Sequence, residues 1–64
     1  MQETKDILLA VADAIRQTGF DPYEQLMGYI STGELVYITR RNRARELIRL
    51  VDKNDITRFM KELK

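Results

Sequence analysis

Residues 23–49, YEQLMGYISTGELVYITRRNRARELIR, decide how this chain folds. Tyr23, Leu26, Met27 and Ile30 fall at i, i+3, i+4 and i+7, which lines apolar side chains along one helix face. Asp21 and Pro22 open that helix. Asp suits the N-cap, and Pro suits the first helical position, where a missing N–H costs nothing. Phe20 is placed to fold back on the first turn as a hydrophobic staple. Gly28 inside the helix costs about 1 kcal/mol against Ala. Another part of the chain is therefore expected to approach it closely. Tyr29 lies off the stripe and is expected to cover a second face or to meet a partner subunit. Ser31-Thr32-Gly33 reads as a turn.

Beyond the turn, residues 35–38 (Leu-Val-Tyr-Ile) have the composition of a strand. No second strand candidate accompanies them, so the spacing predicts a short helical turn or an extended connector. Thr39 is expected to cap a third helix over residues 40–51. Ala44, Leu47, Ile48 and Val51 form its buried stripe, and Arg41, Arg45 and Arg49 recur every four residues beside it. Residues 52–54 break the chain, with Asp52 or Asn54 as the next cap. A fourth helix, residues 55–64, buries Ile56, Phe59, Met60 and Leu63, with Lys61 and Lys64 near its negative end.

Upstream, residues 3–17 read as the first helix. Ile7, Leu8, Val11 and Ile15 share a face, and Thr18-Gly19 stops it. The expected fold is all-α: a compact bundle of about four short helices, residues 1–64 forming one domain. Ile7, Val11, Ile15, Leu26, Met27, Ile30, Leu47, Ile48, Val51, Phe59, Met60 and Leu63 are expected to be buried in the domain or its interface.

A domain of this size buries only about 60 % of the surface its unfolded chain exposes. Such scaffolds are commonly reinforced by disulfides, a metal or oligomerisation. With no Cys and no His, disulfides and the usual zinc sites are excluded. Helix packing and self-association remain, so a homodimer is expected. Tyr29, Tyr37 and Leu50 are apolar positions beyond what one four-helix unit uses, and they are the candidate dimer interface. No apolar run approaches the roughly 20 residues that span a bilayer. The opening MQETKD is polar, without the form of a signal peptide, so a cytoplasmic protein is expected.

No catalytic, cofactor-binding or metal-binding set emerges. There is no His, no Cys and no Gly-rich phosphate loop, and the carboxylates sit at helix starts and on polar faces. The unusual feature is the arginine run: Arg40, Arg41, Arg43, Arg45 and Arg49 against Glu46 alone. Arg40, Arg41 and Arg43 are expected in the first turn of helix three, where cations meet the positive end of the helix dipole. Solvent screening or ion pairs can offset that placement. A docking site for a partner's anionic groups can do so too, since arginine forks bind carboxylates in pairs. A basic helix can alternatively lie in a nucleic-acid groove. The net charge of +1 speaks against that version.

Residues 19–49 resemble the IreB-type regulatory phosphoproteins, the ReoM-like proteins of Gram-positive bacteria. The family's pattern is matched at Gly19, Pro22, Gln25, Gly28, Tyr29, Gly33, Tyr37, Ile38, Arg40, Ala44, Arg45, Ile48 and Arg49, in order and without a gap. Leu35 and Thr39 stand where the family has prolines, and Arg41 where it has His. The resemblance implies an all-helical cytoplasmic homodimer. It implies a non-enzymatic regulator of peptidoglycan synthesis, working below a Ser/Thr kinase with extracellular PASTA domains. The implied partners are the UDP-N-acetylglucosamine enolpyruvyl transferase and the Clp protease that degrades it. The implied functional surface includes Arg40 and Arg45. The family's phosphorylated threonine belongs to an N-terminal tail that residues 1–64 are read as lacking. Thr4, inside helix one, is the candidate nearest that end.

Overall fold

Each junction in the chain is made by a local signal that ends one helix and lets the next pack back. A computed structural model describes residues 2–63 of the chain. It has four α-helices and no strand among these residues: α1 (Gln2–Gln17), α2 (Pro22–Thr32), α3 (Ala44–Ile48) and α4 (Lys53–Leu63). Two 3-10 turns, Leu35–Tyr37 and Arg41–Arg43, lie between α2 and α3.

Gly19 (φ 88°) and Gly33 (φ 76°) take the left-handed conformation after α1 and α2, where a side chain would be strained. The Gly33 N–H donates to the Tyr29 carbonyl at 2.6 Å, satisfying one of the last free acceptors of α2. Asp21 holds the N-cap position before Pro22, but its side chain makes no capping bond. Phe20 remains 62 % exposed, so it does not form the expected staple. Asp52 caps α4 through its carbonyl, which accepts from the N–H groups of Asp55 and Ile56. The helix therefore starts at Lys53 rather than at Asp55. Lys64, expected in its last turn, lies outside the described residues.

α1 packs on α3, on α2 and on α4, and α2 packs on α4. Leu8, Val11 and Ile15 of α1, Leu26 of α2, Ile48 of α3 and Ile56, Phe59 and Met60 of α4 are buried together. Burying one such side chain contributes about 1.5–3 kcal/mol. The Cα radius of gyration is 10.2 Å. A compact chain of this length is expected at about 10.7 Å, so one copy closes its own core. Ile7, Ile30, Leu47 and Leu63 are only partly buried at the margin of that core.

Three placements depart from the periodic reading. Met27 is 40 % exposed, on the outer edge of the α2 stripe. Tyr29 is buried, 9 % exposed, within the core of the single chain. The third helix does not run from residue 40 to 51. Asn42 (φ 53°) and Arg43 (φ 61°) are both left-handed, which breaks the chain just before Ala44. α3 is consequently one short segment of 5 residues.

Candidate partner-docking surface

The segment between α2 and α3 is held by four tethers. The first is a close approach at Gly28. A Cβ there would lie 2.8 Å from Cδ1 and 2.9 Å from Cγ of Tyr37. Only a glycine lets the Tyr37 ring settle on this side of α2. The second is Gln25, whose Oε1 accepts from the Thr39 backbone N–H at 3.0 Å. The third is Arg45. Its Nε donates to the Ile38 carbonyl at 2.7 Å, and a terminal nitrogen reaches the Val36 carbonyl at 3.4 Å. Ile38 itself is driven inward, 1 % exposed, while Val36 and Tyr37 stay on the surface at 64 % and 47 %. A segment with strand composition thus becomes a braced 3-10 turn, because its carbonyls meet a guanidinium instead of a neighbouring strand.

A fourth tether shapes the arginine run. Gln17, at the end of α1, accepts from Arg41 Nε at 2.9 Å and from Asn42 Nδ2 at 3.3 Å. Gln17 is itself oriented by donating to Asp13 at 2.9 Å. The Thr39 hydroxyl accepts from the Arg41 N–H at 3.3 Å, a local bond two residues on that leads into the 3-10 turn, whose N-cap position is held by Arg40. Arg40 and Arg41 therefore lie outside α3, and Arg43 stands at its N-cap position rather than within its first turn.

The five arginines divide by role. Arg45 is half-buried and committed to main-chain carbonyls. Arg41 is exposed and spends one nitrogen on Gln17. Arg43 lies 3.9 Å from Glu46 with 85 % of its side chain exposed, a contact worth little. Arg40 and Arg49 are exposed, and their guanidinium groups have no hydrogen-bond or ion-pair partner among the described residues. Arg49 follows Arg45 by one turn, on the same flank of α3. Exposed forks of this kind are suited to carboxylates, which they can grip in pairs.

The other candidate positions are dispersed. Leu50, 72 % exposed, follows α3. Thr4 is half-buried on α1, in a shallow cleft that also holds the Lys5–Glu62 ion pair of 2.7 Å. Among the described residues no group of three His, Cys, Asp or Glu could hold a metal, and no buried polar side-chain atom lacks a partner. No helix is long and apolar enough to cross a membrane. Sequence reasoning missed Gln17, Gln25 and Asn42. Asn42 carried a readable signal, since Asn is among the few residues that tolerate the left-handed region.

The chain has relatives among known sequences. The family described as IreB regulatory phosphoprotein matches residues 1–63. A UPF0297 protein of Ruminiclostridium cellulolyticum is 35 % identical over 54 residues, covering 84 % of this chain and 61 % of that protein. The chain thus spans about three fifths of that relative's length.

Proposed function

We infer that this chain, which belongs to the IreB regulatory phosphoprotein family, acts without catalysis by docking a protein partner through its exposed arginines. A regulatory role follows from the family. The observation that carries the docking reading is the pair Arg40 and Arg49, exposed guanidiniums with no partner in the chain. Arg41 and Arg43 supplement them with partly free forks. Arg45 serves the same surface from behind, as the brace of the segment that presents Val36. Val36, exposed beside the Arg45 brace, adds an apolar contact for a partner segment that joins an apolar anchor to carboxylates.

We further propose that the partner belongs to the control of peptidoglycan synthesis in the cytoplasm. The enolpyruvyl transferase and the Clp protease acting on it are the first candidates, and a PASTA-domain kinase stands above them. The sequence resemblance supports this. Two copies are proposed to pair through Tyr37 and Leu50, which one copy leaves on its surface. Tyr29 contributes to that pairing only by supporting the core beneath.

The test is affinity capture from the native cytoplasm with wild type and with Arg40→Ala/Arg49→Ala, a variant that leaves the Gln17, Gln25 and Arg45 tethers in place. The expected result is a protein recovered by wild type and lost by the variant. Equal recovery by a folded variant would overturn the docking reading. Enrichment of nucleic acid alone would replace it with nucleic-acid binding. Phosphate appearing on Thr4 after co-expression with a PASTA kinase would place the regulatory input on α1.

A further inference from the structure

Away from the arginines, α2 and α4 enclose an apolar groove of about 250 Å³, lined by Tyr23, Met27, Ile30, Thr57, Met60 and Lys61. The groove and the arginine-braced segment lie on opposite flanks of α2. Tyr23, Met27 and Ile30 face α4, whereas Gln25 and Gly28 face the segment. The groove is therefore a separate surface from the one assigned above.

Its chemistry is polarised. Two of its six residues are methionines, whose flexible, polarisable side chains accommodate a guest of variable shape. On the α4 wall, Lys53, Thr57 and Lys61 recur every four residues and form one ridge. Lys61 stands in the groove wall. Lys53 marks the far end, its amine 3.7 Å from where a Cβ on Gly33 would lie, beside the C-terminus of α2. Neither lysine makes an ion pair among the described residues. The floor is apolar and one wall carries two unpaired cations.

We propose that this groove receives an amphipathic helix of a second protein, its apolar face on Met27, Ile30 and Met60 and a row of carboxylates along Lys53 and Lys61. Its α2 wall runs from Tyr23 to Ile30, about 10 Å along the helix, so two turns of a guest helix fill it. A second copy is the less fitting occupant. The acidic face that this chain could offer lies on α1 around Leu9, between Asp6 and Asp13. Seating it in a neighbour's groove is a head-to-tail contact, which builds rings or filaments instead of a two-fold dimer.

The test uses amide NMR of the full chain with two synthetic helical peptides. Both carry Leu at i, i+3, i+4 and i+7; one has Glu along the flank and the other Lys. The Glu peptide is expected to shift Tyr23, Met27, Ile30, Thr57, Met60 and Lys61 selectively and to bind more tightly. Lys61→Glu, an exposed change whose folding is checked by its melting temperature, is expected to weaken the Glu peptide about fivefold and to favour the Lys peptide. Arg40→Ala/Arg49→Ala is expected to leave the peptide-induced shifts of the groove residues unchanged, so this result and the arginine reading stand or fall separately. Three outcomes overturn the proposal: shifts that avoid the groove, an acidic preference that survives Lys61→Glu, or groove resonances that move when the free protein is diluted. The last would assign the groove to a second copy.

Discussion

Replacing Arg45 by Met removes both guanidinium bonds and keeps most of the aliphatic stem. The carbonyl of Ile38 then loses its 2.7 Å donor, although Ile38 is 1 % exposed. A hydrogen bond to a charged group contributes about 1.5–3 kcal/mol, and the half-exposed position of Arg45 sets the lower end. The 3.4 Å contact to Val36 adds little at that length. A loss of about 1.5 kcal/mol corresponds to a fall in Tm of about 6–12 °C for a domain of this size. Arg45→Lys keeps the charge but cannot supply the fork, so it should fall between wild type and Arg45→Met. Arg49→Met is the control: the Arg49 side chain is exposed and makes no ion pair among the described residues, so the change should stay within about 0.5 kcal/mol. Thermal and urea denaturation followed by circular dichroism measure all three. Arg45→Met and Arg49→Met melting together would refute the brace. The same series guards against misreading a loss of partner binding in an Arg45 variant, which the loosened segment alone could cause.

The kink is tested by Arg43→Gly, which should stabilise by about 0.5 kcal/mol, because relief at φ 61° outweighs the entropy of an added glycine. In a continuous helix over residues 40–51 the same change would destabilise by about 1 kcal/mol, so the sign decides. Gly28→Ala should cost about 1 kcal/mol net, since the new Cβ meets the Tyr37 ring at 2.8 Å. With Tyr37→Ala already in place the same change should instead stabilise by about 1 kcal/mol; a loss in both backgrounds would contradict the close packing. For the pairing of two copies, sedimentation should show a dimer and Tm should rise with concentration. Leu50→Glu should shift both toward the monomer, and a wild type that sediments as a concentration-independent monomer would end that proposal.

The helices that bury a face of three turns were legible from spacing. α1, α2 and α4 have enough repeats for the 3.6-residue period to register, and Gly19 and Gly33 mark their ends. Residues 35–51 were not. Their periodicity is real, yet α3 retains only 5 residues of it. Long-range polar tethers, Gln17 to Arg41 and Asn42 and Arg45 to Ile38, outweigh local helical preference there. Such tethers join residues 7 to 25 positions apart, and a single sequence gives no measure of them. Tyr29 shows a related limit. It sits only one position off the stripe centred on Leu26 and Ile30, and the width of the buried face depends on how α1 and α4 crowd α2. The arginine cluster was visible as composition, but its division into a brace and free forks depends on coordinates alone.

The account turns on whether the exposed arginines meet a partner, and crosslinking from defined positions in living cells asks this directly. A photoreactive amino acid is placed at position 36, an exposed side chain beside the arginine segment, and in a second variant at position 6 on the exposed side of α1. The account predicts a covalent adduct to one discrete protein from position 36 and none from position 6. Adducts of equal yield from both positions, or none from position 36 with the variant folded and expressed, would contradict it.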